Sequence, residues 1–169
     1  MPNSSQVVFP VRLAKPADLD AINEIYNHYV LHSTCTYQTE PSTMEERRGW
    51  FEAHGPKHPV TVLEADGVVA GWGSLSPLHE RYGYRFTVEN SVYIREGFHR
   101  RGMGQAILAD LIRRAGELGY HTIVARISAD QEPSVALHRK FGFTEVARIK
   151  EVGNKFDRWL DAVYLQLMV

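Results

Sequence analysis

The sequence is short of cysteine, of long apolar runs and of net charge, and each shortage removes a class of protein. Cys35 is the only cysteine among 169 residues. That excludes an intrachain disulfide framework and a cysteine-rich zinc site, and it points to a reducing compartment, the cytosol by default. No apolar run approaches the roughly 20 residues of a membrane helix, and residues 1–15 lack the basic-then-apolar pattern of a signal peptide. The expectation is a cytoplasmic protein with no membrane partner. Lysine plus arginine number 19 against 20 aspartate plus glutamate, a formal net charge of -1. No global basic field favours nucleic acid, so any anion has to be gripped locally.

What is present is the composition of one soluble domain over residues 1–169, 44% hydrophobic and 23% charged, enough for a full-sized core. Residues 7–13 read as a strand, and after Pro16 the residues Leu19, Ile22, Ile25, Tyr26, Tyr29 and Val30 recur at helical spacing. Ser42-Thr43-Met44-Glu45-Glu46 offers overlapping capping-box spacings, predicting a second helix that ends near His54-Gly55-Pro56. Strand-like runs at 60–64 and 68–75 flank Ala65-Asp66-Gly67, the chemistry of a hairpin turn. Residues 84–94 read as one long strand, with Phe86, Val88, Val92 and Ile94 on one face and Thr87, Glu89, Ser91 and Tyr93 on the other. A helix marked by Met103, Ile107, Leu111, Ala115 and Leu118 stops near Gly119, and a strand at 121–128 follows. A helix beginning at Pro133 and capped by Gly142, then strands at 143–149 and 159–168, complete an α/β order β-α-α-β-β-β-α-β-α-β-β.

The chemistry concentrates where Val92-Tyr93-Ile94 runs into His99-Arg100-Arg101-Gly102-Met103-Gly104-Gln105-Ala106. A strand leading through Gly-x-Gly into a helix presents free backbone N–H groups in one concave place, a cradle for a pyrophosphate. The helix dipole contributes about 0.3–1 kcal/mol and each charge-assisted bond about 1.5–3 kcal/mol, so oriented N–H groups dominate. An isolated Gly-x-Gly also fits a tightly packed helix start with two solvated arginines. There is no Gly-x-x-x-x-Gly-Lys-Ser/Thr run, Ile107 stands where a dinucleotide fingerprint needs its third glycine, and no Gly-x-Ser-x-Gly elbow occurs. His54 and His58 have a ligand-like spacing but are parted by Gly55 and Pro56 with no carboxylate or thiol nearby, and read as solvated loop histidines; no metal is expected. Trp50, Phe51 and Trp72 read as core or interface aromatics.

The His99 to Ala106 segment, with this order of elements, resembles the GNAT superfamily of acetyl-CoA-dependent N-acetyltransferases, whose signature is Gln/Arg-x-x-Gly-x-Gly/Ala. Nearly the whole chain is similar to one branch, the phosphinothricin and methionine sulfoximine acetyltransferases. The marks are Ile25-Tyr26-Asn27-His28, Thr39-Glu40-Pro41, Thr87-Val88-Glu89-Asn90-Ser91-Val92-Tyr93-Ile94, Pro133-Ser134-Val135-Ala136-Leu137-His138 and Gly153-Asn154-Lys155-Phe156-Asp157-Arg158-Trp159-Leu160-Asp161. The resemblance implies an acyl-CoA N-acyltransferase fold, a mixed and mostly antiparallel splayed sheet flanked by helices. It implies acetyl-CoA as co-substrate, a small amino-acid-like amine as acceptor, and a homodimer.

Carried over by position, the backbone of Val92, Tyr93 and Ile94 pairs with the pantetheine arm. Arg100, Arg101, Gly102, Met103, Gly104 and Gln105 enclose the pyrophosphate, with Gln131 and Lys140 near the rest of the cofactor. His99 departs from the usual Gln or Arg, and Gln131 from a frequent Asn. Glu89 is the candidate base for the substrate ammonium, directly or through water, and His138 a second base or relay. Each also has a plain reading, an exposed strand charge and a half-buried helix histidine. Tyr93 and Tyr164 are candidate acids for the leaving thiolate, and N–H groups at a bulge in the strand are expected to stabilise the oxyanion. The acceptor is expected among Tyr37, His79, Glu80, Arg81, Tyr84, Asn90 and Ser91, with Arg81 as the fork for an anionic group. Cys35 reads as an incidental thiol. The competing readings are an acetyl-CoA-binding sensor without turnover, and an acetyltransferase for a protein N-terminus or a polyamine.

Overall fold

The computed structural model describes residues 9–169. Val7 and Val8, where the first strand was expected to begin, lie outside the described residues, and the strand seen is β1 (Val11–Leu13). It leads into α1 (Leu19–His32), which buries Leu19, Ile22, Ile25 and Val30 on one stripe. At α2 (Met44–His54) the overlapping capping-box signals resolve to Thr43 and Glu46. The Glu46 N–H donates to Thr43 Oγ1 at 3.1 Å, and the Thr43 N–H donates to Glu46 Oε2 at 2.8 Å. Strands β2 (Val60–Ala65) and β3 (Val68–Pro77) are joined through Asp66 and Gly67, both at positive φ, as the turn residues predict.

The long strand is shorter than its sequence pattern. Tyr82–Tyr84 form a 3-10 turn, and β4 runs Thr87–Ile94. Phe86, expected on the core face, is exposed, and buried Asn90 takes a place between Val88 and Val92 on that face. Then come α3 (Met103–Glu117), β5 (Thr122–Ser128), α4 (Glu132–Lys140), β6 (Thr144–Lys155) and β7 (Arg158–Met168). The last two strands meet in a tight hairpin whose corner residues, Phe156 and Asp157, both have positive φ. Neither is the glycine or asparagine that advertises such a turn, and β6 runs six residues beyond the Ile149 end that the sequence predicts.

Among the described residues, seven strands form one sheet in the order β1-β2-β3-β4-β5-β7-β6, antiparallel except for β4 and β5. That parallel pair follows from the α3 crossover between them. One face packs on α3 and α4 through Leu63, Leu75, Val88, Ile107, Leu111, Ile123 and Leu165, and the other packs on α1 and α2 through Ile22, Ile25, Val62 and Trp72. A Cβ on Gly73 would stand 2.5 Å from Ile107 Cγ2, so the glycine lets α3 lie close on β3 and fixes where its N-terminus points.

The sheet is not evenly knit. β3 and β4 pair from Pro77 opposite Val88 to Gly71 opposite Ile94, whereas β4 and β5 pair only over Thr87, Val88 and Glu89 and then part. No register shift interrupts β4 against β3, so the expected bulge is absent. Free main-chain groups arise from the parting of the strands instead.

Candidate active site

The gap between β4 and β5 opens into a cavity of about 1040 Å³, closed by α1, the segment after it, and the N-terminal ends of α3 and α4. The Arg95 N–H donates to Ala70 O at 2.8 Å. In an antiparallel ladder the residues alternate, so Tyr93 and Ser91 turn their main-chain groups to β3, while Asn90, Val92 and Ile94 turn theirs to the gap. The Ile94 carbonyl accepts from Tyr29 Oη at 2.5 Å, which leaves Val92 as the open edge beside it.

At the mouth of α3 the first partnered N–H belongs to Ala106, which donates to Gly102 O at 3.1 Å. The N–H groups of Met103, Gly104 and Gln105 have no acceptor among the described residues. Arg100 and Gly102 both hold positive φ, and nothing lies within 4 Å of a Cβ built on Gly102. The left-handed backbone needs glycine there, and the empty space is a hollow that a side chain would fill. Unpartnered N–H groups around a hollow at a helix N-terminus fit an anionic diphosphate.

Glu89 lies on the cavity wall with Arg126, whose Nη2 stands 3.2 Å from Glu89 Oε1. Burial pushes the Glu89 carboxyl above its ordinary range, and Arg126 opposes that rise without cancelling it. Tyr164, opposite Arg126 in the β5–β7 register, lines the same wall. His138 is buried on α4 with both ring nitrogens engaged: Nδ1–H donates to Ser134 O at 2.8 Å, and Nε2 is 2.9 Å from Asn90 Nδ2. A carbonyl can only accept, so Nε2 is the bare nitrogen and receives the Asn90 amide proton. Burial holds this imidazole below the usual histidine pKa, in its neutral form. Asn90 Oδ1 is buried with no partner.

Of the residues expected at the site, the cavity gathers Tyr37, Glu89, Asn90, Ser91, Val92, Tyr93, Ile94, Arg100, Gly102, Met103, Gly104, Gln105, Gln131 and His138. Arg101 and Lys140 lie off its lining: Arg101 pairs with Asp66 at 2.8 Å, and Lys140 Nζ donates to Gln105 Oε1 at 2.7 Å. His79, Glu80, Arg81 and Tyr84 are exposed on the loop before β4 and do not line the cavity. His54, read as a solvated loop residue, is buried at the end of α2, within hydrogen-bonding distance of Trp50 O and Ser76 Oγ. Among the described residues no three His, Cys, Asp or Glu side chains converge as a metal site.

Lys155, which the sequence marks only as part of the Gly153–Asp161 stretch, holds the α1–α2 segment in place. Lys155 is buried, and its Nζ donates to Ser33 O at 2.6 Å, Thr36 O at 2.8 Å and Tyr29 O at 3.4 Å. Alongside it, a Cβ on Gly153 would stand 2.4 Å from the Tyr37 ring, so the chain passes directly under that tyrosine. The Tyr37 hydroxyl is committed to Ser128 Oγ and Asp161 O, which makes the ring a fixed wall. Cys35 also lines the cavity, its Sγ 3.1 Å from Gln131 Oε1, and burial pushes the thiol pKa up, away from the nucleophilic thiolate.

The profile of the acetyltransferase (GNAT) domain matches residues 11–164. The chain belongs to the GNAT acetyltransferase family. An L-methionine sulfoximine/L-methionine sulfone acetyltransferase of Salmonella typhimurium is 39% identical over 160 residues, 94% of this chain and 94% of that protein. A phosphinothricin N-acetyltransferase of Streptomyces coelicolor is 34% identical over 170 residues, 98% of each. The structure of a GNAT superfamily phosphinothricin acetyltransferase from Sinorhizobium meliloti, in complex with acetyl-CoA, superposes with a TM-score of 0.94 at 33% identity, covering 96% of this chain and 89% of that one.

Proposed function

We propose that this GNAT acetyltransferase moves the acetyl group of acetyl-CoA onto the amino group of a small amino acid or analogue of the phosphinothricin, methionine sulfoximine or methionine sulfone type. The observation that carries the reading is Glu89, a carboxylate beside Arg126 on the wall where β4 and β5 part, in a cavity whose other end is the bare N-terminus of α3. The activities named for the relatives supply the acceptor class.

The main chain of Val92 and the N–H groups of Met103, Gly104 and Gln105, with Arg100, would hold acetyl-CoA, which supplies an activated thioester. Glu89 takes the proton of the acceptor ammonium. An amine of pKa about 8–10 costs only about 1.4–4 kcal/mol to deprotonate at neutral pH, so a carboxylate with a raised pKa suffices. Holding the amine in line contributes the larger share of the acceleration. His138 does not act as a free base here, since its bare nitrogen receives the Asn90 amide; it orients Asn90 beside Glu89. The proton for the leaving thiolate is assigned to the hydroxyl of Tyr164, which lines the same cavity; Tyr93 is half-buried and stacked on Trp72, with its phenol pKa pushed up. Arg81, exposed on the loop before β4 and outside the cavity lining, is kept as the candidate fork for an anionic group of the acceptor.

The β6–β7 hairpin leaves Val146, Val152, Phe156 and Trp159 exposed, an apolar face suited to a second copy of the chain, in keeping with a homodimer. A single free thiol suits the cytosol. Thiol release from acetyl-CoA, measured against a panel of phosphinothricin, methionine sulfoximine, methionine sulfone, ordinary amino acids, a polyamine and an N-terminal peptide, tests the reading. Turnover is expected with the amino-acid analogues. Acetyl-CoA binding with no turnover on any amine would favour the sensor, and turnover confined to the peptide or polyamine would overturn the acceptor class.

A further inference from the structure

Two cations are buried beneath the α1–α2 region, and only one of them has its whole head group engaged by protein acceptors among the described residues. Lys155 gives its ammonium to three main-chain carbonyls. Arg47, on α2 and 4% exposed, makes one hydrogen bond, from Nε to Asn23 Oδ1 at 3.1 Å, and no salt bridge among the described residues. Its guanidinium lies 4.6 Å from the Tyr26 ring centroid and 4.7 Å from that of Trp50. Aromatic faces offset part of the cost of burying the charge, but they accept no hydrogen bond in the plane of the fork. Neither terminal nitrogen, together four N–H donors, makes a hydrogen bond among the described residues, and neither is sealed from solvent: the fork opens onto the adjoining cavity. Water can reach that fork, and a carboxylate of matching shape would replace the water with a bidentate charge-assisted pair.

Beside it lies a cavity of about 340 Å³ lined by Tyr26, Gln38, Ser42, Glu46, Arg47 and Trp50. It is distinct from the acetyl-transfer cavity but shares Tyr26 and Gln38 as a common wall. The other polar groups are already placed: Gln38 Nε2 donates to Glu40 O and Ser42 Oγ, its Oε1 accepts from Tyr26 Oη, and Glu46 Oε2 accepts the Thr43 N–H. The free chemistry of this cavity is therefore one buried cationic fork, one carboxylate at the rim and two aromatic walls. This set matches a zwitterion with an apolar side chain.

We infer that Arg47 anchors a second small-molecule site, which takes the carboxylate of a free α-amino acid, with Glu46 facing its ammonium and Tyr26 and Trp50 lying against its side chain. That the carboxylate belongs to an amino acid rests on the proposed function; the anion site itself does not. Sharing a wall with the catalytic cavity, the site is placed to hold an acceptor molecule next to the place of transfer, or to sense its concentration.

The test uses the full chain without acetyl-CoA, so that no transfer occurs, and follows the three tryptophan indole N–H resonances by NMR. L-methionine should shift Trp50 saturably while exposed Trp159 stays still. 4-(Methylthio)butanoate, which keeps the carboxylate and the side chain and lacks only the amine, should shift Trp50 at several-fold higher concentration. L-methioninamide should bind at least about tenfold more weakly than L-methionine, the lower end of what a charge-assisted bond contributes. Arg47→Met, which keeps the stem against the rings, should abolish the response with the circular dichroism unchanged. Should that variant fail to fold, Glu46→Gln retains the capping box and should bring L-methionine down to the level of 4-(methylthio)butanoate. No Trp50 response, an equal response to the amide, or shifts confined to the Glu89–Ser91 amides would overturn the site. A Trp50 response without thiol release from acetyl-CoA on any amine would sink the proposed function and leave the anion site standing.

Discussion

The two ends of the large cavity are built from different materials. The α3 end is main chain: N–H groups freed by a helix start, a left-handed Gly102, and the edge of β4 left bare where β5 turns away. The Glu89 end is side chains: a carboxylate beside an arginine, a tyrosine ring clamped over Gly153, and a segment strapped by Lys155. Main-chain donors tolerate drift in the side chains around them, so one end binds a fixed chemical group. Side-chain walls change with each substitution, so the other end sets what is acetylated. Cofactor and acceptor recognition should therefore fail separately.

The largest effect belongs to the acceptor end. Glu89→Gln should slow turnover by about 10²–10⁴-fold while acetyl-CoA affinity stays nearly unchanged, the loss shrinking as pH rises and solvent supplies free amine. Steady-state rates across pH, with calorimetry for binding, check both halves of the statement. The converse variant is Gly102→Val, which strains a positive φ and fills the hollow at α3. It should weaken acetyl-CoA binding by about 100-fold, the equivalent of one or two charge-assisted bonds, in a protein that still folds. Unchanged affinity there would remove the cradle.

Much of this division was legible in the sequence, and the reason is local. Gly102 and Gly104 sit between a strand and an amphipathic helix, and the Thr43–Glu46 box and the Asp66-Gly67 turn carry their geometry in their own side chains. What stayed hidden depends on distant contacts. Nothing near Lys155 reveals that its ammonium meets carbonyls about 120 residues earlier, nor does the stretch around Arg126 reveal Glu89 on the neighbouring strand. His54 read as solvated because glycine and proline follow it, yet α2 tucks it against Ser76. The Phe156-Asp157 corner lacks a turn signature, and the tertiary pairing of β6 with β7 imposes it.

Smaller effects sharpen the comparison. Lys155→Met should cost about 1–3 kcal/mol of stability, since it strips a donor from part-buried carbonyls. It should also raise the Michaelis constant for the acceptor more than that for acetyl-CoA; thermal denaturation and steady-state kinetics read the two effects. Arg126→Gln should act more gently. Burial raises the Glu89 pKa and Arg126 lowers it, so removing the arginine leaves the rise unopposed and moves the acid limb of kcat/KM to higher pH. A limb that moved down, or stayed, would mean that another group carries it. The neutral, buried His138 has a folded pKa below its unfolded value. It contributes stability above about pH 6.5 that is lost as pH falls toward the folded pKa. His138→Gln should flatten the acid side of the Tm-against-pH curve.

The most direct test is to map binding on the backbone amides. When acetyl-CoA is added to the 15N-labelled protein, the resonances of Val92, Gly102, Met103, Gly104 and Gln105 should shift together and saturate at one affinity, while those of residues 79–84 stay near their free positions. Addition of methionine sulfone to the protein saturated with CoA should then move Tyr37, Glu89 and the loop before β4, leaving the α3 amides in place. If acetyl-CoA instead perturbs only the loop before β4, or leaves the α3 amides unmoved at saturation, the main-chain cradle is not the cofactor site and the division between the two ends of the cavity fails.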